Sequence, residues 1–409
     1  MIPLFLRLAI VWLAWSTGRM LPCIVLLKLI VGAAQPGTYS LNSWYFLRKF
    51  WLRQLVVRSL AFSFVSNFGF YHTLFPRLLQ WLGVRIDETN DIRISQAHFL
   101  LAFPTNLVQL EPGSTVNGFA LFIPFTVTRD GQCKVNHIRI GRNAQLGNHC
   151  TIQPGANIAE RTLVGTMTRI DEETSTTIND DDSSGSIVLG IPGRLMPFQR
   201  DTPVPVSTNK LSPYMYSELV CAICVQFLIK VIISFLFIHS YFLLPIYFLL
   251  VEHFISFFFF ALPREIRSID RINHWQYQSS AILTLDFYTF IAPLLGGTQW
   301  LIILLRRLKA NIGRDVIIGE MNAVEDWKHV TIGSHVRLST TAKIQCHTDE
   351  GRIHQLAPVT IGPYSRLFHW AFVFPGAHAQ GNNTIHPLTL IMKDDQLPKN
   401  TEWRGCPAT

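Results

Sequence analysis

The chain has 409 residues, of which 49% are hydrophobic and 15% charged, with a formal net charge of +8. Its 29 Phe fall largely outside the repeats described below, and no nucleic-acid motif is present, so the positive balance points to anionic lipid headgroups rather than to nucleic acid. Seven cysteines form an odd, scattered set that suits a reducing compartment, and Cys221-x-x-Cys224 lies inside an apolar run with no second pair, which reads as small buried residues rather than as a redox or zinc motif.

In chain order, residues 1–34 are apolar but divided by Arg7, Gly18-Arg19, Pro22 and Lys28, which fits one tilted membrane helix or two short half-spanning ones. No basic segment precedes them and no small-x-small site ends them, which disfavours a signal peptide. An amphipathic lead-in over residues 78–86 enters a run of hexads: Ile140-Gly141, Leu146-Gly147, Ile152-Gln153, Ile158-Ala159 and Val164-Gly165. The acidic, Ser/Thr-rich stretch 171–185 reads as a solvated loop, Leu189 to Gly193 as an exit, and the Pro-containing stretch 199–213 as a linker.

Residues 219–262 are almost unbroken apolar sequence, long enough for two spans of about 20 residues in a hairpin. Lys230, Glu252, His253 and Asp286 in these apolar stretches would face helix interfaces, being costly in lipid. Residues 281–305, broken by Pro293 and Gly296-Gly297, read as a broken or interfacial helix. Basic clusters flank these segments (Arg48, Lys49, Arg53, Arg58; Arg264, Arg267, Arg271; Arg306, Arg307, Lys309), which by the positive-inside rule puts the repeats in the cytosol.

The hexads then resume at Ile312-Gly313 and Ile318-Gly319, at Ile332-Gly333, Leu338-Ser339 and Ile344-Gln345, and from Ile361-Gly362 to Ile385-His386. A period of six is neither helical nor a plain strand alternation; it marks a parallel β-helix in which three short strands make one triangular coil. Every sixth aliphatic points to the axis, and the residue after it is read as a corner where Gly, Asn or Asp tolerates positive φ. The expected fold is an α+β membrane protein, with two left-handed parallel β-helix solenoids alternating with transmembrane or amphipathic helices by internal duplication. Its expected domains are 1–82 (membrane helices and lead-in), 83–200 (first β-helix), 201–311 (linker and second membrane segment) and 312–409 (second β-helix).

The tandem modules, the lead-in after Gly297-Thr298, the segment Ile344-Gln345-Cys346-His347-Thr348-Asp349-Glu350 and the exit from Trp403 to Ala408 resemble the membrane-embedded C-terminal region of ε-poly-lysine-synthetase-type enzymes, single-module non-ribosomal peptide synthetases. The resemblance runs over nearly the whole chain. It implies joining an activated amino acid to a second amine as an amide or isopeptide. The chain departs from that pattern in having no adenylation or carrier domain, and Leu295-Gly296-Gly297-Thr298 lacks the Ser of a phosphopantetheine attachment loop. The first half also looks eroded, because the position matching His347 by hexad register falls near Phe125, so chemistry is expected in the second half.

Hexapeptide acyltransferases use a His from a coil or loop as general base on an amine or hydroxyl attacking a thioester. His347 is the expected base, with Asp349 or Glu350 to orient it. Glu325, Asp326 and Trp327 are expected to hold a cationic amine substrate, the carboxylates by charge and Trp327 by stacking. His137, His369 and His378 read as edge residues, and His335, His354 and His386 lack metal-ligand spacing, so no metal site is expected. The expected function is a membrane-bound acyltransferase-like protein forming an amide from a carrier-bound aminoacyl or acyl thioester. The alternative is a non-catalytic membrane scaffold recruiting a peptide synthetase, while too few spans are visible for a transporter. No bound cofactor is expected, the thioester arm being phosphopantetheine on a separate carrier protein or CoA. The expected partners are membrane lipids and a carrier protein or synthetase in trans. The β-helices either self-associate or pair within one chain.

Overall fold

A repeat of six on a three-sided coil makes one full turn in eighteen residues, and the computed structural model has that spacing. In the first half Ile140 lies in parallel register with Ile158, Leu146 with Val164 and Ile152 with Ile170. In the second half the matching pairs are Ile361 with Ala379, Leu367 with Ile385 and Val373 with Ile391. The structure describes residues 14, 18–61, 74–87, 92–94, 104–175, 185–199, 267–268, 295–320, 323–350 and 353–409. The chain divides into two compact units, Met1–Tyr216 and Ser217–Thr409.

Each unit is built on three small sheets, one per face of the prism, parallel throughout the coils; in the first unit Arg194–Gln199 adds an antiparallel strand at the exit. The aliphatic that closes each two- or three-residue strand turns inward: Ile86, Leu110, Ile140 and Ile158 form one column of the first unit, and Ile312, Ile332, Ile361, Ala379 and Leu397 one of the second. Burying each of the larger side chains contributes about 1.5–3 kcal/mol, so the column rather than the two-residue strands holds the coils together. A short lead-in helix closes the open end of each prism. Leu74–Trp81 supplies Phe75, Leu78 and Leu79 to the first core, and Gln299–Arg307 supplies Leu301, Ile302 and Leu305 to the second. Each solenoid ends in a Gly-x-Pro turn whose proline is cis, Ile191-Pro192 and Cys406-Pro407.

The glycine after the inward residue is required for a different reason from the one expected. Gly141, Gly147, Gly313 and Gly362 are not in the left-handed region, which is occupied two residues further on by non-glycine corners such as Asn143, His149, Asp315 and Tyr364. What the glycine supplies is close approach. A Cβ built on Gly362 would lie 2.4 Å from the Gln380 carbonyl carbon, and one on Gly313 2.5 Å from the Ser334 nitrogen.

Both solenoids break their eighteen-residue rhythm at the same place. After Phe122 the chain leaves the prism as an antiparallel hairpin, Phe125–Val127 with Gln132–Val135, before rejoining at Ile138–Ile140. After Ile344 it leaves as His347–Glu350 with Ile353–Leu356 and rejoins at Val359–Ile361. Each hairpin also receives a third, antiparallel strand from the segment that precedes the solenoid: Gly37–Ser40 in the first unit and Arg267–Ser268 in the second.

The membrane part of the expected fold is corrected. Among the described residues no helix is long and apolar enough to cross a membrane. The lead-in helices have eight and nine residues, about 12–14 Å at 1.5 Å per residue, against a hydrocarbon core of ~30 Å. The longest helical run among the described residues, 44–61, carries Arg48, Lys49, Arg53 and Arg58, and Arg53 is buried inside the protein against Thr105, 2.9 Å away. The spans expected over residues 219–262 and most of 1–17 lie outside the described residues. The integral-membrane localisation with β-helices facing the cytosol, the membrane-bound function and the assignment of membrane lipids as partners are corrected with it, having no spanning helix under them among the described residues.

Candidate active site at the second hairpin corner

The site is built where the coil ending in Ile344 meets the turn of the coil before it. Val324 forms a parallel bridge with Ile344, and the Glu325 N–H donates to the Ile344 carbonyl at 2.9 Å. Asp326 then takes a left-handed conformation, φ 58° and ψ 52°, and opens a short 3-10 turn, Trp327–His329. Two contacts close that turn: the His329 N–H donates to the Asp326 carbonyl at 2.8 Å, and the Trp327 indole N–H to the Val324 carbonyl at 2.8 Å.

On the other side, Gln345 and Cys346 are buried, and His347 is the first residue of the departing hairpin. Its Nδ1 lies 2.5 Å from Asp326 Oδ2, with the two side chains 14% and 8% exposed. The neighbouring rung is a second ion pair, Lys343 Nζ to Glu325 Oε1 at 2.6 Å, also largely covered. The Gln345 side-chain amide donates to the His347 carbonyl at 2.8 Å and fixes the start of the strand. A carboxylate on Nδ1 sets the imidazole tautomer with Nε2 as the basic nitrogen and supports the imidazolium when it forms. Cys346 does not compete as a nucleophile. Burial first, and the negative charge of Asp326 and Glu325 with it, pushes its thiol far above the ordinary range, so it stays protonated.

The structure places the expected site residues in different surroundings. His347 has a carboxylate partner, but it is Asp326, which was expected to hold substrate. Asp349 and Glu350 continue the His347 strand, with their backbones opposite His354 and Ile353. Trp327, expected to stack on substrate, is 3% exposed and belongs to the core, its indole N–H donating to the Val324 carbonyl. Lys343 and Gln345 were missed. The hexad count alone did not place them, because this coil is two residues longer than eighteen: Ile344 stacks on Val324 and Leu338 on Ile318.

The remaining histidines are placed on edges. His137 and His378 are exposed, and His369 bonds the Thr340 carbonyl through Nδ1 at 2.8 Å. His335 stacks on Tyr364. His335 and His386 also have carboxylate partners, Asp315 at 3.7 Å and Glu402 at 3.1 Å, and the hydrogen bond from His386, helped by Arg404, holds the Glu402 carboxyl below the usual range. Glu402 is open to solvent, however, and lies on the last coil. Among the described residues no cluster of three or more His, Cys, Asp or Glu has metal-binding geometry.

The first unit has the same corner without the His–Asp pair. Its 3-10 turn, Thr105–Leu107, precedes Val108–Leu110 as Trp327–His329 precedes Val330–Ile332, so Pro104 stands at the place of Asp326. Phe125 opens the first hairpin as His347 opens the second. Its ring packs edge-on against Phe50 at 4.8 Å and Phe46 at 6.2 Å, an apolar cluster where the second unit has an ion pair.

No family model matches the chain. It is 30% identical over 114 residues to the delta-poly-L-ornithine synthetase of Acinetobacter baumannii (strain AB307-0294), a stretch that spans 28% of this chain and 8% of the relative. Among solved structures, a maltose O-acetyltransferase from Clostridium difficile 630 aligns with 41% of this chain and 94% of its own, at 12% identity and a TM-score of 0.29. The expected kinship over nearly the whole chain with the membrane region of ε-poly-lysine-synthetase-type enzymes is corrected accordingly: the likeness is a weak homology to a poly-amino-acid synthetase, over about a quarter of the chain, and among the described residues there is no spanning helix. A carrier protein or synthetase acting in trans likewise gains no support as a partner. By its own registers the chain has the parallel β-helix architecture of a hexapeptide repeat.

Proposed function

We propose that the second β-helix carries an acyl-transfer site with His347 as general base and Asp326 as the carboxylate that orients it. The supporting observation is the 2.5 Å contact between His347 Nδ1 and Asp326 Oδ2, largely covered, at the corner where the hairpin leaves the prism. In this reading the acceptor is an amine, consistent with the homology to a poly-L-ornithine synthetase, and the donor is an activated acyl group, by chemistry a thioester. As the amine nitrogen attacks the acyl carbon, His347 Nε2 takes its proton; the C–N bond forms, the C–S bond breaks, and the imidazolium returns the proton to the departing thiolate. Asp326 stays ionised throughout and holds the Nδ1 proton. The first unit, with Pro104 and Phe125 at the matching positions, takes no part in proton transfer and serves as a structural half.

The test uses the full chain, an N-acetylcysteamine thioester of an amino acid as donor and ornithine as acceptor, with amide product read by mass spectrometry. His347→Ala is expected to lower product formation by roughly 10²–10⁴-fold, the usual contribution of a positioned general base. Equal yields from the wild-type and His347→Ala chains would overturn the assignment.

A further inference from the structure

A catalytic His–Asp pair works only if its carboxylate is held, and Asp326 is poorly placed to hold itself. It occupies the left-handed region at φ 58°, ψ 52°, a conformation that costs a non-glycine residue on the order of 1–2 kcal/mol and persists only where its surroundings over-determine it. Its only neighbour in sequence on the N-terminal side is Glu325, whose backbone N–H is tied to Ile344 and whose carboxylate is tied to Lys343 at 2.6 Å. Lys343 precedes the axial residue Ile344, on the coil that leads directly to His347. One ion pair thus spans the same two coils as the catalytic pair, a single residue away from it on the turn.

We propose that Glu325 and Lys343 are positioning residues, an ion-pair latch that clamps the 323–329 turn onto the next coil and so keeps the Asp326 carboxylate on His347. The inference rests on the His347 reading above, but it is tested through the proton affinity of the imidazole and not through turnover, so the two can fail separately.

The sign of the effect separates a latch from ordinary charge interaction. Around His347 the structure places Asp326 and Glu325 on the turn, Lys343 on the preceding strand and the neutral thiol of Cys346 beside it. Lys328 and His329 follow on the same turn, and Asp349, Glu350 and His354 lie on the hairpin. All of these except the substituted residue are common to every variant compared. If Lys343 acts only through space, its removal takes a positive charge away and the His347 pKa rises. If it acts as a latch, its removal releases Asp326 and the pKa falls. Glu325→Gln lowers the value under either account, so Lys343→Met decides.

The experiment follows the His347 imidazole by NMR titration of the full chain, with the resonance assigned by its disappearance in His347→Gln. Asp326→Asn sets the floor, a drop of about 1 unit or more for loss of an opposite charge at contact distance. The latch predicts that Lys343→Met and Glu325→Gln both fall between wild type and that floor, that the double variant falls no further than the lower of the two, and that Lys343→Arg restores the wild-type value. A rise in Lys343→Met, or a value unchanged from wild type, would overturn the proposal.

Discussion

The tight stacking of the coils makes Gly362→Ala a demanding substitution. A Cβ at Gly362 would sit 2.4 Å from the Gln380 carbonyl carbon, 2.5 Å from its oxygen and 2.6 Å from the Gly381 nitrogen, all backbone atoms. Ordinary contact begins near 3.4 Å, so the two coils must part by about 1 Å at a point where the Gly362 N–H donates to the Ala379 carbonyl at 2.7 Å and Ile361 is in register with Ala379. Overpacking of this kind costs about 1–3 kcal/mol, and a stretched backbone hydrogen bond adds about 1 kcal/mol. For a unit the size of Ser217–Thr409, a loss of about 3 kcal/mol lowers Tm by roughly 6–12 °C. Gly297→Ala in the same unit is the control: φ there is +74° and nothing lies within 4 Å of the added methyl, so the cost is confined to the left-handed backbone, about 1–2 kcal/mol. Thermal melts of the two full-length variants, followed by circular dichroism, compare the effects directly. If Gly362→Ala melts no lower than Gly297→Ala, close approach is not why the repeat has glycine after its inward aliphatic.

Two further outcomes follow from buried or capped groups. Cys346 is fully buried with its thiol driven up by burial, so iodoacetamide at pH 8 should modify it only on unfolding; labelling of the native chain at the rate of a free thiol, read by peptide mass spectrometry, would mean that the hairpin corner opens. Burial pushes the Asp171 carboxyl up, but hydrogen bonds from the Thr174 hydroxyl and N–H, with the charge of Arg169, outweigh it and hold the group below its usual value. A carboxyl depressed in the folded state stabilises above its unfolded pKa of about 3.9 and loses that contribution as pH falls through the folded value. Asp171→Ala should therefore cost about 1 kcal/mol at pH 7, as loss of a helix cap does, and the gap to wild type in urea midpoint should close in acid; a gap that is the same at pH 7 and pH 3 would refute the assignment.

The solenoids were legible because a stacked fold repeats one environment at a fixed interval. Ile140, Leu146 and Ile152 report three faces in succession, and no tertiary knowledge is needed to place them. The hairpins were not legible as such, since Phe125–Val127 and His347–Glu350 follow the local alternation of any short strand, and only the gap in the hexad count marks the departure. The site was half readable. His347 stands out three residues past an axial aliphatic, but the carboxylate in contact with it, Asp326, lies on the adjacent coil, whereas the carboxylates expected to orient it, Asp349 or Glu350, were those close in sequence. Apolar segments outside the hexads were read as lipid contact, whereas among the described residues the lead-in helices turn their apolar side chains into the two prism cores.

A pure stack of coils frays from its ends and tolerates the gain or loss of a repeat, because each coil meets only its neighbours. Here a strand from ahead of each solenoid pairs with a hairpin emerging midway along it, Gly37–Ser40 with Gln132–Val135 and Arg267–Ser268 with Ile353–Leu356. That stitch closes a long loop, which slows folding, but it also ties the entry segment to the middle of the stack. Coils lying between the two anchor points cannot be added or deleted without moving one anchor away from the other. In each unit the number of coils below the hairpin is thereby fixed by a contact outside the repeat, and length variation is left to the coils above it.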